Sequence, residues 1–221
     1  MISRLFLPFI VTTLVYSGSV FAQVHRPKTP VSPRTEKIKK QQTNTNQKKP
    51  TTTPQKPTVP KIVQPKWKVF TPPDKSFAVL MPGRPTQKTQ IQKTYMGEIP
   101  LQIFMAEPPQ QEVSYIVTYN GFPYDYAKLT SPQQIFNKAQ EGALLTTKST
   151  LINQRNLRSS NGHPGREIEY VNPGGNIFKT RMYFAEGRLY QATAIVSKKQ
   201  QAMLAKTING FLNSFQVVVR R

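Results

Sequence analysis

The chain has 221 residues, with 31 Lys and Arg against 10 Asp and Glu, a net charge of +21, and no cysteine. That composition excludes disulfide staples, thiolate metal sites, catalytic thiols and a lipidated cysteine anchor. It favours anionic partners such as lipid head groups, wall polymers or acidic protein faces, and the length suits one domain of ordinary size.

Residues 1–22 read as a secretory signal. Arg4 supplies the positive n-region, Leu5 to Val15 the apolar h-region, and Val20-Phe21-Ala22 the small-residue ending, so cleavage is expected before Gln23. The apolar run carries Pro8 and is too short for a spanning helix, which needs roughly 20 apolar residues. Export in turn argues against nucleic acid as a partner.

Residues 23–66 are built from Pro, Thr, Gln, Lys and Asn and hold 11 Lys and Arg against the single acid Glu36. Such a segment buries too little apolar surface to offset its ordering entropy, so a disordered basic linker is expected. Its prolines favour polyproline II, and at about 3.1 Å per residue it would reach on the order of 100 Å. Two roles stay open for it, a solvated spacer and an electrostatic tether to an anionic polymer.

At Trp67 the composition changes to alternating apolar and polar residues, which places the start of a single domain over 67–221, with Trp67 and Phe70 opening the core. Phe77, Val79 and Met81 form a strand that stops at Pro82-Gly83. Thr86 to Gln92, Ile99 to Ala106 and Val113 to Tyr119 have the β-branched and aromatic content and the period of two of further strands. The aromatic run Tyr115, Tyr119, Phe122, Tyr124 and Tyr126 reads as core or loop packing, with a recognition surface as the alternative.

Ser131-Pro132-Gln133-Gln134 combines an N-cap serine, proline at N1 and Gln at N3, and predicts a helix to about Leu145 with Ile135, Phe136, Ala139, Ala143 and Leu144 inward. A second helix is predicted from Ser197, with the stripe Leu204, Ile208, Phe211, Leu212 and Phe215. Between them lie strands near Lys148 to Arg155, Arg166 to Val171, Ile177 to Ala185 and Arg188 to Val196. Asn172-Pro173-Gly174-Gly175 and Glu186-Gly187 turn the last three into an antiparallel meander. In the last hairpin both faces are apolar, so a covering layer is expected on each, with the second helix on one of them. The class is α+β with a mostly antiparallel sheet.

Chemistry-bearing patterns are sparse. His25 lies in the linker, and His163 reads as a turn residue in Asn161-Gly162-His163-Pro164-Gly165. No Gly-x-Ser-x-Gly elbow, calcium loop, Walker or dinucleotide glycine pattern occurs, and no two carboxylates are paired by spacing. The expectation is a non-enzymatic protein without cofactor or metal. One charged set stands out on the sheet: Arg166, Glu167, Arg181 and Arg188. A four-residue loop after Val171 would set Arg166 against Arg181. A shift by one residue sets Glu167 beside Arg181 as a structural ion pair, and this is the favoured register. The alternative is an anion or partner surface made by Arg166, Arg181 and Arg188.

FAVLMPGRP at 77–85, HPGREIEY at 163–170, RMYF at 181–184 and GRLYQ at 187–191 together resemble cyanobacterial exported proteins of unassigned function with a PsbP/Mog1-like domain. The likeness spans about residues 67 to 218, in motif order. It implies a central antiparallel sheet flanked by helices, in a periplasmic, thylakoid lumenal or secreted protein. For PsbP itself the implied role is extrinsic attachment to photosystem II, aiding retention of calcium and chloride. The resemblance transfers no individual functional residue. The reading that follows is an exported binding or assembly module docking an extracytoplasmic protein partner at a membrane face. A structural tether held peripherally to anionic wall or membrane polymers is the alternative.

Overall fold

The computed structural model describes residues 66–94 and 96–218. The expected export signal and, apart from Lys66, the expected linker lie outside them. Alternating burial begins with β1 (Trp67–Phe70) and β2 (Phe77–Pro82), and continues through the meander β3 (Thr86–Thr94), β4 (Gly97–Ala106) and β5 (Val113–Gly121). Two helices follow, α1 (Tyr124–Leu129) and α2 (Pro132–Thr147). A second meander then runs through β6 (Thr150–Arg158), β7 (Pro164–Val171), β8 (Asn176–Ala185) and β9 (Arg188–Ser197). The described chain closes with α3 (Gln201–Ser214) and β10 (Gln216–Val217).

The two meanders join through their last strands, β5 against β9, into a seven-stranded antiparallel sheet of order β3-β4-β5-β9-β8-β7-β6. The expected α+β class with a mostly antiparallel sheet is therefore the observed one. β1, β2 and β10 form a separate three-stranded sheet, an arrangement not foreseen for the Phe77 strand. Its inward residues Phe77, Val79 and Met81 share a core with Phe104, Tyr115, Tyr190 and Ala192 of the large sheet and with Leu204, Ile208, Phe211 and Leu212 of α3. Trp67 and Phe70 are half-buried against that core.

The opposite face of the large sheet carries Ile168, Tyr170, Phe178, Met182, Leu189 and Ile195, buried together with Ile135, Phe136, Ala139 and Ala143 of α2. Both apolar faces of the β8–β9 hairpin are thus covered, one by α3 and the small sheet, the other by α2. A third, smaller cluster, Leu101 and Ile103 with Ile116, lies on β4 and β5. Gly165 is where β7 passes its neighbours most closely: a Cβ there would meet the Met182 carbonyl oxygen and a Tyr183 ring carbon, each at 2.6 Å.

The α2 start is as read from sequence. Ser131 Oγ accepts from Gln134 N, and the Gln134 side chain accepts from Ser131 N. The α3 start is a correction. Ser197 belongs to β9, and Gln200 is the N-cap without a side-chain cap bond; its Oε1 instead accepts from Glu112 N at 2.9 Å. The hydrogen bonds from Ser197 N to Glu112 O and from Lys198 N to Gly175 O extend the sheet end past the expected helix start. α1 falls within the aromatic run expected to be core or loop packing, where no helix is predicted. It is a single short helix following Pro123, and none of its residues is fully buried.

Candidate functional site

Strand register decides which charged side chains can meet. Glu186 and Gly187, at φ 49° and 71°, make the two-residue turn with both residues left-handed that lets Ala185 pair with Arg188. In the other turn Val171 pairs with Ile177, with residues 172–176 between, and Asn172 Oδ1 accepts from Asn176 N. That spacing is one residue longer than a four-residue loop, so Glu167 stands opposite Arg181 and Arg166 opposite Met182.

Glu167 is bracketed by two guanidiniums. Its Oε2 accepts from Arg181 Nη2 at 2.6 Å and Nε at 3.0 Å, and its Oε1 from Arg155 Nη2 at 2.9 Å and Nε at 3.1 Å. Burial acts to raise the Glu167 carboxyl, and the hydrogen bonds and charges of Arg181, then of Arg155, outweigh it and hold the group below its ordinary value. Arg181 also donates from Nη1 to Leu212 O at 3.0 Å. α3 has no basic residue in its own last turn, so β8 supplies the cation that its C-terminal carbonyls favour.

Arg166 and Glu167 are adjacent in a strand, so their side chains leave opposite faces of the sheet. Arg166 lies on the α2 side, 1% exposed, with its guanidinium carbon 5.8 Å from the centre of the Phe136 ring. Its Nε donates to Asn156 Oδ1 at 3.4 Å and its Nη1 to Gln140 Oε1 at 3.2 Å. Both partners are neutral. Burial pulls this guanidinium below its ordinary value.

Arg188 belongs to a third cluster. Its Nη1 donates to Asp74 Oδ2 at 2.9 Å, the oxygen that also accepts from the Tyr119 hydroxyl at 3.0 Å. Asp74 Oδ1 accepts from Ser76 Oγ at 2.8 Å and Ser76 N at 3.2 Å. Burial acts to raise Asp74, and the hydrogen bonds from Ser76, Tyr119 and Arg188 lower it overall. Burial and the hydrogen bond to Asp74 push the Tyr119 phenol up to about 12.

The three arginines therefore do not make one surface. Arg166 is beneath α2, Arg181 is bonded to Glu167 and to α3, and Arg188 is tied to the β1–β2 loop. An anion surface made by all three together does not occur, because the alternation of β7 puts Arg166 on the other face. Sequence reasoning missed Arg155, Asp74, Gln140 and Asn156 as the partners. Arg155 and Asn156 face Glu167 and Arg166 across the β6–β7 hairpin, whose register no local pattern marks, and Gln140 and Asp74 are distant in sequence.

Of the aromatic run, Tyr115 is buried in the core and Tyr119 is in the Asp74 cluster. Phe122 and Tyr126 pack beside the α2 core, and Tyr124 is exposed. His163 lies in the β6–β7 loop, where its backbone N–H donates to Ser159 Oγ. Among the described residues no group of three or more His, Asp or Glu side chains is placed to hold a metal ion, and no helix is long and apolar enough to cross a membrane.

No protein-family model and no curated protein sequence matches the chain. Among solved structures it is similar to the cyanobacterial PsbP (CyanoP) of Synechocystis sp. PCC 6803, with a TM-score of 0.52 at 11% identity, over 73% of this chain and 98% of that one. It is also similar to a protein of unknown function from Pseudomonas aeruginosa, with a TM-score of 0.41 at 13% identity, over 70% of this chain and 97% of that one. The likeness to CyanoP is one of fold, and the fold is PsbP-like.

Proposed function

We propose that this chain is an exported, non-enzymatic binding or assembly module of PsbP type, docking a protein partner at an extracytoplasmic membrane face. The observation that carries the reading is the uneven charge. Residues 23–66 hold a net +10, as much as the domain that follows over more than three times the length. A basic segment of that density raises the local concentration of the domain near an anionic surface and speeds encounter. Inside the domain Arg155, Arg181 and Arg188 are engaged with Glu167 and Asp74, so these guanidiniums hold the fold together. The rest of the domain's positive charge stays available for attraction, beside the denser charge of the segment before it. The charge of that segment also favours a second reading, in which it alone holds the protein to wall or membrane polymers and the domain is payload.

The test is retention on purified envelope and photosynthetic membranes across a salt series, comparing residues 23–221 with residues 67–221. Docking by the domain predicts that both forms bind one membrane fraction saturably, the longer one more tightly at low salt. If only the longer form binds, and salt releases it steeply, the tether reading replaces docking. If neither form is retained, both readings fail.

A further inference from the structure

Arg166 is a charged group only 1% exposed, and no carboxylate lies within ion-pair distance of it among the described residues. A guanidinium keeps its charge, and neutral amides offset only part of the loss of water around it. Replacing Gln140 by an acid would supply the missing charge at 3.2 Å, yet this sequence keeps an amide there.

Beside Arg166 the surface opens into a cavity of about 490 Å³, large enough for a small organic molecule. Two of the groups that touch Arg166 also line this cavity: Phe136, which it faces, and Asn156, which it holds by Oδ1. With Oδ1 committed to Arg166, Asn156 has its amide N–H groups to offer. Arg158, two residues along β6 and so on the same face, also lines the cavity. One of its nitrogens donates to Gly162 O at 2.9 Å, which steadies the guanidinium and leaves its other donors for a ligand. No acid lines the cavity, and Pro132, Phe136 and Pro164 supply apolar wall. The first-turn amide of Gln134 is consumed by Ser131, so the α2 terminus itself contributes little.

We propose that this cavity binds a carboxylate carried on an apolar body. The carboxylate meets Arg158 and the Asn156 amide, with Arg166 behind them as the fixed opposite charge, and the body rests on Phe136, Pro132 and Pro164. A polypeptide C-terminus and a free aromatic acid share this chemistry.

The experiment is an NMR titration of the whole chain with three probes: phenylacetate, an N-acetylated tripeptide ending in Phe with a free carboxylate, and the same tripeptide as its amide. The expected result is saturable movement of the Asn156, Leu157 and Gly165 amide resonances with one or both carboxylates and none with the amide. Tighter binding of the tripeptide assigns the site to a chain terminus, and tighter binding of phenylacetate to a free acid; either supports the site. Arg158→Ala should weaken the binding carboxylate about tenfold. Gln140→Glu, which gives Arg166 an internal partner, should weaken it by a similar factor while raising the melting temperature. Equal binding of acid and amide, no saturable binding of either acid, or unchanged affinity in Gln140→Glu would each overturn the proposal.

Discussion

Glu167 holds two guanidiniums, and through Arg181 it also reaches the end of α3, so its loss is felt in three places. Glu167→Gln leaves Arg181 with no full counter-charge in a largely buried position. It should destabilise the protein by about 3 kcal/mol at neutral pH, read by urea unfolding. The sign of the pH dependence follows from the lowered carboxyl. The stabilisation is complete above the ordinary value of 4.5 and drains as the pH falls below it through the folded-state value. The gap between wild type and Glu167→Gln should therefore narrow only below about pH 4.5, and a gap constant down to acid pH would refute the assignment. A charge swap of Glu167 with Arg181 should rescue stability only in part, because Arg155 would then face an arginine and Leu212 O would lose its donor.

The helices differ in how they are started, and this separates what local sequence does from what packing does. α2 carries a reciprocal cap at Ser131 and Gln134, so Ser131→Ala should cost about 1 kcal/mol, measured as a drop in the urea midpoint at unchanged slope. A change below a few tenths would mean that burial of Ile135, Phe136, Ala139 and Ala143 fixes the helix start without the cap. α3 has no such cap and follows β9 after the turn of residues 198–200, so its position rests on Leu204, Ile208, Phe211 and Leu212 against the sheet. The edge strands are also managed locally. β3 is rich in Thr, Gln and Lys, and β6 is interrupted by a register shift between Leu151 and Asn153, with Ile152 exposed. Polar edges and bulges of this kind discourage strand addition by other chains.

The two sheets are one folding unit because their inner faces share a core. Phe77 of the small sheet has ring neighbours Phe70 at 6.1 Å, Phe104 at 5.6 Å, Tyr119 at 6.1 Å and Phe215 at 5.6 Å. Phe77→Ala should cost about 4 kcal/mol. Far-ultraviolet and near-ultraviolet circular dichroism should still report one coincident transition. Two separated transitions would show that the three-stranded sheet unfolds independently of the large one. The Asp74 cluster adds a polar tie across the same boundary, since Asp74 lies between β1 and β2 while Tyr119 and Arg188 lie on β5 and β9.

Sequence alone determined the parts of this protein that depend on near neighbours. Period-two alternation marked the main strands, the Ser131 signal marked α2, and Glu186-Gly187 marked the tightest turn, because dihedral preference and capping act within a few residues. The two-faced apolar pattern of the β8–β9 hairpin also makes a covered sheet legible in the sequence. Tertiary structure decided the rest. Nothing local says that β5 pairs with β9, that the Phe77 strand leaves the large sheet, or that Ser197 continues a strand, since each depends on which distant segment completes the core. The same holds at the candidate site. Arg166, Glu167, Arg181 and Arg188 are visible as charges in sequence, but the turn of residues 172–176 sets the register, and strand alternation then divides the arginines between two faces. Their partners Asn156, Gln140, Arg155 and Asp74 are brought to them by folding alone.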